Sequence, residues 1–243
     1  MMESSKQLGV IGGLGPLATA YFMELVTKMT DARTDQQHLP MIVYSAPYIP
    51  DRTAYILGVS RDDPSKEMIR IGQTLSQMQV SHIAIPCLTA HYFFDELERN
   101  IPVPVIHGVR ATVRHLRENG IRRVGIMATS GTIRAGIFRR ELERQGLEAL
   151  IPSPKAQTNV MHLIFGNIKA GNPVEIDRFY AAAQDLWDAG AEAIILGCTE
   201  LSLIKRDHPI GPGFIDAMEV LAREAILSCD YPLKPAYQCL ITR

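Results

Sequence analysis

The amino-acid sequence predicts an α/β fold with mostly parallel sheets, arranged as two similar halves. Short apolar runs alternate with amphipathic stretches along the 243-residue chain. Most of these runs are continuously apolar, which is typical of parallel strands covered by helices on both faces. Several segments of the first half recur in the second half. We therefore expect two similar α/β domains related by a pseudo-twofold axis, with a cleft between them.

Seven segments are predicted as strands because apolar and β-branched residues run together in them. They are Leu8–Ile11, Met41–Ser45, His82–Pro86, Val103–His107, Arg123–Ala128, Leu147–Ile151 and Ala193–Leu196. Apolar residues at spacings of three and four predict helices over 18–29, 68–78 and 176–187. A last helix is predicted from Ile215 to Cys229, after a Gly-Pro-Gly break, and we expect it to pack on the first half.

Two pairs of segments carry the internal repeat. Leu8–Gly15 is a strand that runs into a glycine turn, and Arg123–Thr132 has the same pattern. Ile83–Thr89 and Ile194–Glu200 are each a strand that ends near a cysteine, with a threonine close behind. A cysteine that only fills space in the core has no reason to recur at the same place in both halves. The repeat therefore marks these two cysteines as candidate functional residues.

The register of the repeat is nearly constant. Val10 and Val124 lie 114 positions apart, and Cys87 and Cys198 lie 111 positions apart. A structural repeat explains a difference of only three positions. We predict a first domain of residues 1–107 plus 215–243 and a second domain of residues 108–214.

Composition excludes several classes of protein. The chain has 25 Lys and Arg against 26 Asp and Glu, a formal net charge of −1, which argues against a nucleic-acid binder. An apolar fraction of 47% excludes a disordered chain. No apolar run approaches the roughly 18 residues of a membrane span. The amino-terminal residues also lack the apolar core of a secretory signal, so we expect a cytoplasmic protein.

The four cysteines are Cys87, Cys198, Cys229 and Cys239. They form no CxxC pair and no zinc-ligand spacing, so we predict free thiols and no metal site. Cys229 and Cys239 are expected to be structural, as most free cysteines are. In open α/β sheets, functional groups gather beyond the carboxyl ends of the strands. Two half-domains that face each other would therefore bring Cys87 and Cys198 to one cleft.

Two opposed thiols suit the inversion of a stereocentre by proton transfer. One group must remove a proton from one face of a carbon, and another must deliver a proton to the opposite face. A thiol with an ordinary pKa of about 8.5 can serve in either role near neutral pH. One cysteine is then a thiolate while the other is a thiol, and the pair titrates as a coupled system.

The motifs around these cysteines resemble those of the aspartate/glutamate racemase family. The resemblance rests on Gly12–Thr19, Pro50–Thr53, Cys87–His91 and Gly197–Leu201, which follow one another in family order over nearly the whole chain. It implies a cofactor-independent amino-acid racemase with two similar α/β domains and a cleft between them. It also implies a homodimer, and aspartate or glutamate as the leading substrates.

The resemblance also implies roles for individual residues. Cys87 and Cys198 take the positions of the two acid/base thiols. Arg52 matches the carboxylate-binding arginine of the family, since a guanidinium can hold a carboxylate bidentately. The other residues expected to contact the substrate are Thr53, Thr89, Thr132, Lys169 and Thr199. The residues expected to lie next to the substrate-contacting groups, and to orient or tune them, are His91, Glu200, Ser130 and Gly13.

Two positions depart from the family pattern. Leu88 follows the first cysteine where the family usually has Asn, and Ala46 lies in a stretch where an Asn is also common. The loss of two amide side chains removes hydrogen-bond partners for polar groups of a substrate, which affects both affinity and substrate preference.

Three other functions remain open at this stage. Gly13–Ala18 fits the GxGxxA pattern of a dinucleotide site, but the acidic residue expected at the end of the next strand is absent. Relatives of this superfamily include hydantoin racemases, maleate isomerases and arylmalonate decarboxylases, which also use cysteine at one or both positions. A non-catalytic amino-acid binding protein is the third alternative. Incorporation of solvent deuterium at Cα with inversion distinguishes racemisation from maleate-type isomerisation, and a binding protein is expected to show no isotope exchange.

Overall fold

A computed structural model describes residues 6–242 and contains two parallel sheets. The first sheet has the order β2-β1-β3 and consists of β1 (Leu8–Gly12), β2 (Met41–Ser45) and β3 (His82–Ala84). The second sheet has the order β5-β4-β6-β7 and consists of β4 (Arg123–Met127), β5 (Glu148–Leu150), β6 (Ala193–Leu196) and β7 (Phe214–Asp216). The predicted α/β fold class is confirmed.

Helices connect the strands in both halves. In chain order they are α1 (Pro16–Met29), α2 (Arg52–Ile56), α3 (Ser65–Gln77), α4 (Phe94–Asn100), α5 (Gly108–Glu118), α6 (Ser130–Arg134), α7 (Ile137–Arg144), α8 (Pro154–Met161), α9 (Ile176–Asp188), α10 (Thr199–Asp207) and α11 (Ala217–Ser228). Leu88–Phe93 forms a 3₁₀ turn, and His162–Lys169 continues α8 as a π-helical segment. Among residues 6–242, no helix has both the length and the apolar character needed to cross a bilayer.

The two sheets repeat one arrangement. β1 is flanked by β2 and β3, just as β4 is flanked by β5 and β6. Next to β3, a single parallel bridge joins Ile83 to Val105, in the position that β7 occupies beside β6. The predicted strand Val103–His107 is therefore wrong in extent. Pro102 and Pro104 have no N–H to donate, which limits this segment to one bridge.

The predicted helix from Ile215 to Cys229 is also wrong at its start. Ile215 and Asp216 belong to β7, where they pair with Ile195 and Leu196. Helix α11 begins at Ala217 because the Asp216 carboxylate accepts a hydrogen bond from the Met218 N–H at 2.9 Å and caps the helix.

Helices α5 and α11 cross the junction between the two halves. Helix α11 packs against α1 and β3 of the first half, and against α5. Helix α5 packs against α7 of the second half. The division into domains of residues 1–107 plus 215–243 and 108–214 stays a prediction, and β7 lies in the second sheet. Residues 1–5 and Arg243 of the predicted first domain lie outside the described residues.

Candidate active site

The two candidate cysteines lie at equivalent places in the two halves. Cys87 follows β3 and precedes the 3₁₀ turn, while Cys198 follows β6 and precedes α10. Both are in extended backbone conformation and are only 6% exposed. Both line one narrow cavity. The structure therefore brings a thiol from each half to the same small space.

Cys198 is held as a thiol by its neighbour Glu200. Its Sγ donates a hydrogen bond of 2.8 Å to Oε2 of the Glu200 carboxylate. Burial, and then the negative charge and hydrogen bond of Glu200, raise the pKa of the Cys198 thiol well above its ordinary value. Cys198 is thus the hydrogen-bond donor in this arrangement, and the Glu200 carboxylate is the acceptor.

Lys169 supplies the opposing charge. Its Nζ lies 3.3 Å from Oε1 of Glu200, and its ammonium lies 5.1 Å from the centre of the Phe165 ring. Burial acts to lower the pKa of Lys169, but Glu200 and the sulfurs of Cys198 and Cys87 outweigh burial and raise it. The lysine is therefore a fixed cation facing both sulfurs. It is the last residue of the π-helical segment, a kind of distortion that often occurs at functional sites.

Arg52 lies at the wall of the same cavity but is held by backbone groups. Nη1 donates to the carbonyl oxygens of Ile49 and Pro50 at 3.2 and 3.0 Å, and Nη2 donates to that of Leu14 at 2.8 Å. The Nε–H group is buried without a partner in the part of the chain that the structure describes. These bonds use three of the five N–H groups of the guanidinium, so Nε–H and the second N–H of Nη2 are the donors left for an anion.

A cluster of threonine hydroxyls joins the two halves at the cavity. Thr89 of the first half lies 3.2 Å from the Thr129 hydroxyl and 3.0 Å from the Thr132 hydroxyl, both of the second half. Thr129 also caps α6 by accepting from the Thr132 N–H at 3.2 Å. Thr89 and Thr129 line the cavity together with Thr53 and Thr199, whereas Thr132 lies behind them. These hydroxyls can donate to a carboxylate or accept from an ammonium group.

His91 supports Cys87 without facing the cavity. Its Nδ1 lies 3.3 Å from the carbonyl oxygen of Cys87, and its Nε2 accepts a hydrogen bond of 3.0 Å from the Gly108 N–H. These partners assign the proton to Nδ1. Burial lowers the pKa of His91 to about 4, so the ring is neutral at physiological pH. It links the backbone of Cys87 to the first residue of α5.

Two residues predicted to support the site are placed elsewhere. The Ser130 N–H donates to the Met161 sulfur at 3.1 Å, and its hydroxyl accepts from Gln157 at 3.2 Å. The Gly13 N–H donates to the Thr19 hydroxyl at 2.9 Å, so it is not free to bind a substrate. Gly13 instead shapes an outer cavity.

The outer cavity adjoins the inner one and opens to solvent. It has about 920 Å³ of space free of protein atoms, and it shares Leu14, Asp51, Arg52, Lys169 and Glu200 with the inner cavity. The remaining wall is mostly apolar. The shared residues form the boundary between the surface and the sulfurs, and any ligand that reaches the thiols passes them.

Sequence reasoning missed four residues that the structure places here. Thr129, Asp51, Leu14 and Phe165 all line the inner cavity. Asp51 and Thr129 each cap a short helix next to the site, α2 and α6. A polar residue just before a predicted helix was the signal available for both. Leu14 and Phe165 carry no chemical signal of their own.

The chain has two similar α/β halves, and each contributes a thiol at the end of a strand to one shared cavity. This arrangement defines a class of protein with paired reactive groups at a domain junction. Comparison with known proteins identifies the family. Residues 11–225 match the Asp/Glu/hydantoin racemase family. The chain belongs to this family, as the sequence motifs indicated, and its homologues named as amino-acid racemases are isomerases.

Individual relatives agree with this assignment. A protein of Bacillus subtilis named broad specificity amino-acid racemase RacX is 28% identical over 228 residues, which is 90% of this chain and 96% of that protein. The structure of Picrophilus torridus aspartate racemase is 28% identical, with a TM-score of 0.83 over 97% of this chain and 99% of that one. Francisella tularensis glutamate racemase, 18% identical, shares the fold with a TM-score of 0.65 over 90% of this chain and 78% of that one.

Proposed function

We propose that this protein is a cofactor-independent amino-acid racemase that inverts Cα by a two-base mechanism. The observation that carries the proposal is the convergence of Cys87 and Cys198, from equivalent strand ends, on one cavity. The match to a racemase family and the name of the B. subtilis relative support the same reaction. A substrate whose Cα lies between the two sulfurs presents its hydrogen to one of them.

In one direction Cys87 acts as the base. Its thiolate takes the proton from Cα, an S–H bond forms, and the electron pair of the broken C–H bond moves into the adjacent carboxylate. Cys198 then gives its thiol proton to the opposite face of Cα. The threonine hydroxyls and the cationic side chains stabilise the negative charge that develops on the substrate. The product is the other enantiomer, and Cys198 is left as a thiolate.

Glu200 and Lys169 allow the reverse direction. With the proton on Cys198, the sulfur donates to Glu200 and the ion pair with Lys169 balances the carboxylate. When Cys198 acts as the base, it begins as the thiolate that the forward reaction leaves, and Lys169 faces that thiolate. Glu200 and Lys169 thus lie beside Cys198 in either protonation state, which a racemase needs because it works in both directions.

We propose aspartate or glutamate as the substrate. Lys169 and the Nε–H group of Arg52 are the cationic donors at the boundary of the two cavities, where a side-chain carboxylate would lie. Leu88 lines the inner cavity in place of an amide side chain, so the part of the substrate nearest to it receives an apolar contact. The large outer cavity leaves room for the side chain of the substrate to extend away from the sulfurs.

A panel of chiral amino acids in D₂O tests the proposal. Wild-type protein is expected to incorporate deuterium at Cα and to invert aspartate or glutamate faster than neutral or basic amino acids. Cys87→Ser and Cys198→Ser are each expected to lower racemisation by about 100-fold or more, the scale of a lost acid or base. Cys239→Ser is the matched control, because Cys239 lies in the carboxyl-terminal tail beside Asn119.

The outcomes separate the competing functions. Ligand binding without any isotope exchange would contradict the racemase proposal and favour a binding protein. Isomerisation that needs Cys87 alone would indicate nucleophilic chemistry of the maleate isomerase type. Racemisation at the wild-type rate by either Cys87→Ser or Cys198→Ser would contradict the two-base mechanism.

Assembly and location remain predictions. We propose a homodimer, as the family resemblance implies, and a cytoplasmic protein. Light scattering of the purified chain tests the first prediction, and a mass of one 27.0 kDa chain would contradict it. Fractionation of cells tests the second.

A further inference from the structure

A third cavity lies on the other side of His91 from Cys87, at the linker between the two halves. We call it the hinge pocket and define it by His91, Phe94, His107, Arg110, Arg140 and Arg144. It has about 620 Å³ of space free of protein atoms. Its walls come from the end of the first half, the start of α5 and the face of α7. The proposed racemase reaction uses none of its open surface.

Cations outnumber anions in this pocket. Three guanidinium groups, those of Arg110, Arg140 and Arg144, face the two carboxylates of Asp95 and Glu141. Glu141 is bound to Arg144 through contacts of 2.5 and 2.9 Å. The charge left over in the pocket is positive, and a guanidinium pair favours phosphate or carboxylate groups over other ligands.

The arginines are held in place without a bound anion. Arg110 lies above the Phe94 ring, 5.5 Å from its centre, and Arg140 donates to the carbonyl oxygen of Ala135. A guanidinium has five N–H groups, so each of these arginines keeps donors beyond the contacts just described. Stacking on an aromatic ring also fixes a guanidinium plane, which lowers the entropy lost when it binds an anion.

His107 adds a neutral donor to the pocket. Its Nδ1 accepts a hydrogen bond of 3.2 Å from the Arg110 N–H, which places the ring proton on Nε2. Burial first, and then the neighbouring His91 and Arg110, lower the pKa of His107 to about 3. The ring therefore stays neutral at physiological pH, with Nε2–H as its donor group.

The pocket connects to the backbone of Cys87 through one side chain. His91 lines the hinge pocket, and the same ring contacts the carbonyl oxygen of Cys87 and the N–H of Gly108. The His91 ring is 5.4 Å from the His107 ring, centre to centre. A ligand that moves α5 relative to this ring changes the support of the Cys87 backbone.

We propose that the hinge pocket binds a small organic polyanion, with two or more phosphate or carboxylate charges, and that its occupancy alters turnover through His91. The effect on turnover rests on the proposed racemase function, whereas the binding does not. Phosphate-bearing and carboxylate-bearing ligands share the chemistry that this pocket recognises, so the test uses one probe of each kind.

The binding test uses calorimetry with inorganic pyrophosphate and with citrate, at constant ionic strength and without substrate. Wild-type protein is expected to bind at least one probe saturably, one per chain. The double variant Arg110→Ala/Arg140→Ala is expected to bind about tenfold more weakly or worse, which is about 1.4 kcal/mol. Arg139→Ala is the control, because Arg139 is an exposed neighbour on α7 that faces Glu143 instead of the pocket. It is expected to bind within about twofold of wild type, since screened surface charges contribute little.

Each outcome decides the proposal. If neither probe binds saturably, the proposed binding site is overturned. It is also overturned if Arg139→Ala loses as much affinity as the double variant, since that would indicate non-specific electrostatic attraction. For the effect on turnover, a saturating probe is expected to change kcat or KM in wild type but not in the double variant. Unchanged kinetics overturn the proposed effect on turnover, whereas a protein that racemises no amino acid either with or without the probe contradicts the proposed function instead.

Discussion

Replacing His91 by asparagine tests how a neutral, buried histidine supports the Cys87 strand end. The wild-type ring donates from Nδ1 to the Cys87 carbonyl oxygen and accepts at Nε2 from the Gly108 N–H. A shorter amide side chain cannot reach both groups. One lost hydrogen bond with a buried partner left unpaired costs about 1–3 kcal/mol, so the variant should be less stable at pH 7 by at least about that amount.

The same ring makes stability depend on pH. Burial depresses the pKa of His91 to about 4, against an ordinary value of about 6.5 in the unfolded chain. The unfolded state therefore binds more protons between these values. The neutral ring therefore contributes to the free energy of unfolding fully above pH 6.5, and this contribution is lost as pH falls toward 4. The total loss is about 3 kcal/mol. Between pH 7 and pH 5 the expected loss is about 2 kcal/mol.

Urea unfolding of both proteins at pH 7, 6 and 5 measures this difference. Wild type should lose about 2 kcal/mol more than His91→Asn over that range, because the variant has no ring to protonate at this position. His208→Asn, at the carboxyl end of α10, is the control and should follow the wild-type curve. Parallel curves for wild type and His91→Asn would refute the account of a neutral buried ring at this position.

Three further changes test other parts of the account. Glu200→Gln should lower the pKa of Cys198, because burial and then Glu200 raise that pKa in the wild type. The pH profile of Cys198 alkylation by iodoacetamide should therefore move to lower pH. An unmoved profile contradicts the assigned hydrogen bond. Lys169→Met should raise KM for aspartate and glutamate by about tenfold, with little change for a neutral substrate; an equal change for both would show that Lys169 does not face the side chain. Gly13→Ala should lower the free energy of unfolding by about 1–3 kcal/mol, measured in urea, because φ is +85° and a Cβ would lie 2.3 Å from the Ala46 nitrogen; wild-type stability would contradict the described turn.

The strand ends of the site were readable from the sequence because their signals are local. Cys87 and Cys198 each follow a continuously apolar run, and such runs form buried parallel strands whatever surrounds them. Their near-constant register predicts equivalent positions in the two halves, and the structure places both at one cavity. Arg52 and Lys169, transferred from the resemblance, also line that cavity.

Other features depend on tertiary contacts that no local pattern contains. Ile215 is apolar and could belong to a helix or a strand, and the choice is made by β6, with which it pairs. Val105 follows Pro102 and Pro104, which have no N–H to extend a ladder, so only one bridge forms. Ser130 and Thr132 occupy neighbouring positions in one turn, but only Thr132 is directed at Thr89. The direction of each hydroxyl follows from how the halves pack, not from the residue types.

The central claim is that each sulfur serves one face of the same carbon. Enantiomer-specific exchange in D₂O tests it most directly, with Cys198→Ser and Cys87→Ser assayed separately on the pure L- and D-forms of the preferred substrate. Each variant is expected to exchange the α-hydrogen of one enantiomer without inverting it, and the two variants should prefer opposite enantiomers. Exchange of the same enantiomer by both variants, or of both enantiomers by either one, would contradict a pair of thiols on opposite faces.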